Sequence, residues 1–253
     1  MAEWNAAQYL KFADQRTRPA ADLLARVARA APARVIDLGC GPGNATALLA
    51  ARWPEARITG LDNAPDMLAT ARRDHPAIEW LEADLSVWVP EARYDVVYSN
   101  AALQWVPDHA TLLPRLLGAV ADGGVLAVQM PRAAGAAHSL IREIAAAGPW
   151  AARMPERSGA RVQPPGFYYD LLAPLARRVD LWETEYQQVM ADTAAILEWV
   201  KGTGMRPFLA ALSEAERADY LGRYRAALDA AYPAQRDGRV IFPFRRLFLV
   251  CEP

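Results

Sequence analysis

The chain has 253 residues, 53% of them hydrophobic, and a formal net charge of -1, which suits one domain with a substantial core. That charge balance excludes a general polyanion-binding surface, so no nucleic-acid partner is expected. No apolar run reaches the roughly 18 residues of a membrane span, so no membrane partner is expected either. Lys11 and Lys201 are the only lysines among 28 cationic residues; the rest are arginines, planar forks suited to carboxylates or phosphates.

The opening "MAEWNAAQYLKFADQRTRP" is amphipathic and charged, without a signal-peptide core. Thr17 is placed to cap a helix with Pro19 in its first turn, running to about Ala31, so that 1–31 forms a helical cap. From Arg34 to Pro131 the pattern alternates. The β-branched runs "RVIDL", "RITGL", "IEWLE", "YDVVYS" and "GGVLAVQM" are separated by helical segments at Ala45–Arg52, Pro65–Asp74 and His109–Val120, and by an acidic connection around Ser86. Strands apolar on both faces between helices predict a parallel sheet covered on both sides.

After Pro131 the register changes. Ala136–Ala147 reads as helix and 148–166 as loop. "RRVDLWETEYQQVM" alternates as a strand, Thr193–Tyr232 is helical with a break at "GTGMRP", and "RVIFPFRRLFLVCEP" is strand again. The two late strands are expected to pair antiparallel on the sheet's edge. The fold class is α/β: Rossmann-like, mostly parallel with one antiparallel edge strand, helices on both faces and helical lid insertions. One domain is expected over 1–253, with a cofactor-binding core at 34–131. A substrate-side half follows at 132–253, with a helical insertion at about 191–232.

In "RVIDLGCGPGNA" three glycines, Gly39, Gly41 and Gly43, follow Asp37 at the end of the first strand, the edge where open α/β sheets bind ligands. A dinucleotide turn wants glycine at its first, third and sixth places. Here the sixth place is Asn44, which argues against an NAD-dependent oxidoreductase. The D-x-G-x-G-x-G spacing resembles the first motif of class I S-adenosylmethionine-dependent methyltransferases. Asp62 ends the second strand, where a carboxylate can accept from both ribose hydroxyls, and Asn63 follows it. The resemblance implies a seven-stranded methyltransferase sheet, with Asp84 facing the adenine amino group and Leu85 and Met67 against the ring. It also implies Asn100 and Ala101 of "SNAALQW" beside the methionine part.

Longer stretches, among them "EWNAAQYLKFADQRTRPAADLLARV", "NAALQWVPDHATLLPRLL", "YYDLL", "GTGMRPFL" and "FPFRRLFLV", resemble the trans-aconitate 2-methyltransferase family. That resemblance implies methyl transfer to a carboxylate of a small tricarboxylate, with S-adenosylhomocysteine as second product and no metal. It also implies an N-terminal helix that closes over the cofactor, bringing Tyr9 and Arg16. A carboxylate has a pKa near ~4 and is already ionised at neutral pH, so no general base is needed. The three histidines form no nucleophile–base pair. His109, at a strand-end location, is a candidate substrate contact.

Catalysis is then positioning and exclusion of water. Arg206 and Arg246 are the expected forks for the remaining carboxylates, Tyr168 and Tyr169 the phenol donors, and Gln104 and Trp105 the loop above the transferred methyl. A methyltransferase for another small O- or N-acceptor shares every cofactor landmark. The chain is expected to be a monomer or weak homo-oligomer. Its two cysteines, Cys40 and Cys251, show no metal-ligand spacing and fit a reducing cytoplasm.

Overall fold

The computed structural model describes residues 13–132, 135–155, 162–202 and 204–253, with side chains from Thr17 onward. The chain divides into two compact units. The first takes Met1–Pro131, Arg161–Thr184 and Arg246–Pro253, and the second takes Arg132–Ala160 and Glu185–Arg245. Within 132–253, residues 161–184 and 246–253 group with the first unit.

Seven strands form one sheet in the order β3-β2-β1-β4-β5-β7-β6. They are β1 (Arg34–Leu38), β2 (Arg57–Asp62), β3 (Glu79–Glu82), β4 (Tyr94–Asn100), β5 (Val120–Pro131), β6 (Arg178–Met190) and β7 (Val240–Glu252). Strands β1 to β5 pair in parallel, while β7 runs antiparallel to β5. The antiparallel strand thus lies one place in from the edge that β6 forms.

Alternate residues of the central strands feed one apolar cluster: Leu126, Val128 and Met130 from β5, and Leu247, Leu249 and Cys251 from β7. Helix α4 (His109–Gly118) closes it with Leu112, Leu113, Leu116 and Leu117, and α6 (Pro165–Leu172) with Tyr168 and Leu172. The intervening residues Ala127, Phe248 and Val250 are buried as well. These strands are apolar on both faces because both faces are covered.

On that opposite face lies α1 (Ala13–Arg26). Ala20, Leu23, Leu24 and Val27 are buried at helical spacing, and the Tyr98 hydroxyl donates to Ala20 O (2.7 Å). Thr17 and Pro19 are inside this helix rather than at its start. It also stops short of Ala31, because the Arg52 guanidinium bonds Leu24 O and, at 2.8 Å, Val27 O. A residue of α2 (Asn44–Arg52) caps the last carbonyls of α1. α3 (Pro65–Asp74) matches its expected bounds, with Pro65 in the first turn. Val120, expected to end α4, instead opens β5 opposite Tyr94.

In the second unit, α5 (Ala136–Ala147) is tied to α9 (Glu214–Ala231) by phenols. Tyr220 donates to Ile141 O at 2.8 Å and Tyr224 to Ala137 O at 2.7 Å. Tyr220, Tyr224 and Leu228 form its buried stripe at i, i+4, i+8. A Ser213–Glu216 capping box starts α9, and Asp192 caps α7 (Thr193–Lys201). The short α8 (Arg206–Ala210) follows the expected break at "GTGMRP".

Candidate active site

A cavity of ≈ 320 Å³ opens where β1, β2, β3 and β4 end, in the size range of small-molecule sites. The glycine turn forms its floor. Gly39 N and Cys40 N both donate to Leu61 O (2.7 and 2.9 Å), and Gly41 N donates to Asp62 Oδ2 (2.8 Å). The turn is thus pinned to β2 by backbone hydrogen bonds.

The three glycines do different work. Gly41 has φ +56° and nothing within 4 Å of where a Cβ would stand, so this part of the floor is bare backbone. Gly39 lets Ala102 close in. Gly43, at φ +92°, would place a Cβ 2.8 Å from Trp80 Cη2 and 3.0 Å from His75 Cδ2. Its bare side backs onto an indole and an imidazole, and it is not on the cavity wall. The missing Cβ of Gly43 is what lets Trp80 pack beneath the turn.

Asp37 and Asn44 are likewise behind the wall. Asp37 is 1% exposed, and Thr46 Oγ1 donates to its Oδ2 at 2.6 Å. Burial pushes its carboxyl up to about 7; the Thr46 hydrogen bond opposes that rise and nearby Asp62 adds to it. Asn44 opens α2.

The other cofactor candidates do line the cavity: Asp62, Asn63, Met67, Asp84, Leu85, Asn100 and Ala101, with Gly39 and Gly41. Asp62 Oδ1 accepts from Ala64 N (2.9 Å), so two backbone amides fix the carboxylate. Its pKa is raised by burial, against these same hydrogen bonds. Asp84 Oδ1 accepts from Ser86 N (2.8 Å), and hydrogen bonds from Ser86 hold its carboxyl below the usual value. Ala101 sits at φ +56°, a left-handed conformation costing a non-glycine residue on the order of 1–2 kcal/mol. It is held there by Ala101 N donating to Gln129 O (2.9 Å) and by Gln104 Nε2 donating to Ala101 O (2.7 Å).

Several acceptor-side candidates are placed elsewhere. Gln104 is buried and braces Ala101 from below. His109 is buried: Nε2 donates to Leu103 O and Nδ1 accepts from the Tyr168 hydroxyl, both at 2.8 Å. The carbonyl can only accept, which fixes the proton on Nε2. Tyr168 is itself fully buried, and its oxygen accepts from Gln163 N (2.9 Å). Its phenol is a strut inside the core. Tyr169 is exposed and off the wall, whereas Trp105 lines the cavity. Arg246 is 4% exposed on β7 in the first unit. Arg206 opens α8 in the second unit and is half-buried. Tyr9 lies outside the described residues, as does the side chain of Arg16.

The sequence reading missed the wall residues Pro42, Ala83, Ser86, Ala102, Val106 and Pro107. All but Pro107 directly adjoin residues it named. It also missed Arg115, whose guanidinium bonds Leu85 O (2.6 Å) and Ser86 O (3.0 Å) from α4. No local signal marks that contact, because it spans 29 and 30 positions. Among the described residues no group of three His, Cys, Asp or Glu could hold a metal ion, and no helix is long and apolar enough to cross a membrane. Both cysteines are buried and free.

The sheet and its glycine turn have the form of a methyltransferase, and a family model described as a methyltransferase domain matches residues 12–170. Among solved structures, the YcgJ protein of Bacillus subtilis superposes with a TM-score of 0.61 at 12% identity, covering 93% of this chain and 98% of that one. Phosphoethanolamine N-methyltransferase 2 of Haemonchus contortus, in complex with S-adenosyl-L-methionine, does so with a TM-score of 0.56 at 16% identity, covering 93% and 52%. Both likenesses bear on the fold. Much nearer in sequence is the trans-aconitate 2-methyltransferase of Azoarcus sp. (strain BH72), 56% identical over 255 residues and 99% of each chain. That of Methylobacterium radiotolerans is 54% identical over 257 residues, covering 100% of this chain and 99% of its own. The chain belongs to the trans-aconitate 2-methyltransferase family.

Proposed function

We propose that the protein transfers a methyl group from S-adenosylmethionine to a carboxylate of trans-aconitate, giving a monomethyl ester and S-adenosylhomocysteine. One observation carries this reading. A chain 56% identical end to end to a trans-aconitate 2-methyltransferase presents, at its strand ends, a cavity floored by bare backbone and walled by fixed acids. The residues fit the cofactor. Gly41 leaves room for close approach, and the tethered Asp62 carboxylate keeps lone pairs for ribose hydroxyls. Met67 and Leu85 offer apolar surface to the adenine, Asp84 an acceptor for its amino group, and Asn100 and Ala101 flank the methionine part. Tyr9 and Arg16 remain candidates to cover it.

The cofactor supplies an electrophilic methyl group on a cationic sulfonium. The chain's part is orientation and drying of the site. The acceptor carboxylate is ionised at neutral pH, so no proton need be removed, and His109 is committed on both ring nitrogens. Trp105 at the rim is placed to exclude water. Arg246 is the candidate fork for a spare carboxylate, since charge taken from water needs a partner. Two buried free thiols suit a reducing compartment such as the cytoplasm.

The test is an acceptor screen with purified protein and methyl-labelled S-adenosylmethionine, offering trans-aconitate, cis-aconitate, isocitrate and citrate. Label should appear as a base-labile ester of trans-aconitate. No ester above background from any of the four would end the acceptor assignment, and a labelled amine or phenol product from a wider panel would replace it.

A further inference from the structure

Three polar residues cluster on one face of the sheet. Asn100, the last residue of β4, pairs in register with Gln129 of β5. Gln129 pairs with Phe248 of β7, and Pro131, two places on, pairs with Arg246. Register partners on neighbouring strands share a face, and a residue two places along is a diagonal neighbour. Asn100, Gln129 and Arg246 therefore lie side by side at the carboxyl ends of β4 and β5, next to the cavity wall that Asn100 and Ala101 form.

Gln129 is the unusual member. It is 0% exposed, yet neither Oε1 nor Nε2 has a hydrogen-bond partner, and neither does Asn100 Oδ1. Buried amides in folded proteins are nearly always satisfied, and each exception calls for an explanation. An apolar residue of the same length would pack there without that cost. A ligand group that enters this corner accounts for the amide.

We infer that Gln129 is an acceptor-recognition residue: its carboxamide N–H donates to a carboxylate of the polyanionic acceptor, beside the buried Arg246 guanidinium. The side of the sheet favours acceptor over cofactor. Gln129 lies beyond β4, away from β2 and β3, whose ends carry Asp62 and Asp84. Arg246, on the same face, stands diagonal to Gln129. The inference rests on the proposed transfer to trans-aconitate.

Gln129→Met keeps the side-chain length and removes both polar atoms, while Gln129→Glu keeps the shape and adds a like charge. The measurements are KM for trans-aconitate and for S-adenosylmethionine, S-adenosylhomocysteine affinity by calorimetry, and Tm. A hydrogen bond to a charged group corresponds to a rise in acceptor KM of about 10- to 100-fold for Q129M, and Q129E should exceed it. S-adenosylhomocysteine affinity should stay within about twofold, and the Tm of Q129M should equal or exceed that of the wild type, because no unmet amide remains. A wild type active on trans-aconitate with acceptor KM unchanged in both variants overturns the inference. A lowered Tm with unchanged KM does so too, as a purely structural glutamine. A parallel loss of S-adenosylhomocysteine affinity would put Gln129 on the cofactor instead. A wild type inactive on trans-aconitate removes the proposed function and this inference together.

Discussion

Replacing Asp37 by asparagine should stabilise the protein at alkaline pH and leave it unchanged in acid. Asp37 is a buried carboxyl whose pKa stands at about 7 against 3.8 for the free side chain. The raised value means that the fold favours the protonated form. Between 3.8 and about 7 the native state keeps a proton that the unfolded chain has lost, so stability falls as pH rises through that window and levels off above it. At about 1.36 kcal/mol per pKa unit, the roughly three-unit shift is worth about 4 kcal/mol of lost stability above pH 7. The asparagine side chain would still accept from Thr46 and carries no charge to desolvate. At ~2–4 °C per kcal/mol for a chain of this size, Asp37→Asn should melt on the order of 10 °C higher at pH 8.5, with the gap closing toward pH 4. Differential scanning calorimetry of both ligand-free proteins across that range measures it. Other carboxyls cancel in the difference. A gap independent of pH, or one that widens in acid, would refute the assignment of a buried, largely protonated Asp37.

Three further outcomes follow from the site. Gly43→Ala places a methyl 2.8 Å from Trp80 at φ +92°; it should cost about 1–3 kcal/mol in urea unfolding, with Gly43→Ala/Trp80→Ala recovering part of the loss if the indole is the obstacle. Arg115→Ala frees the Leu85–Ser86 backbone and should raise KM for S-adenosylmethionine about tenfold with little change in kcat, as steady-state kinetics would report. Tyr168→Phe removes the donor to His109 Nδ1 and the acceptor of Gln163 N; it should destabilise by ~1–3 kcal/mol while leaving the pH profile of kcat without a new limb between pH 6.5 and 9. A limb that appears or disappears there would mean the His109–Tyr168 pair handles a proton in turnover.

Much of the core was legible because its signals are local. The continuous apolar runs of β5 and β7, proline opening α3, and glycines at alternate positions after β1 each follow from the geometry of a few neighbouring residues. The acids at the ends of β2 and β3 could be named for the same reason, since a strand end in an alternating α/β pattern is a position along the chain. The side chains' final partners were not local. Gln104, His109 and Tyr168 have the chemistry of site residues, and only packing shows that Gln104 Nε2 is spent on Ala101 O, His109 Nε2 on Leu103 O and the Tyr168 oxygen on Gln163 N. Gly43 carried the motif and yet serves Trp80, because an edge-strand indole reaches across Gly60 to lie beneath the turn.

By itself, then, the order of residues determined an alternating sheet, a nucleotide-type turn at its first strand end and the family to which both belong. The tertiary structure decided which atoms face the cavity. It closed α1 with a guanidinium from α2, fixed Asp62 by two backbone amides, hid Asp37 from water, and set Asn100, Gln129 and Arg246 on one face across three strands. Those outcomes depend on register and burial between residues up to 146 positions apart (246 − 100), and no periodicity within one segment encodes them.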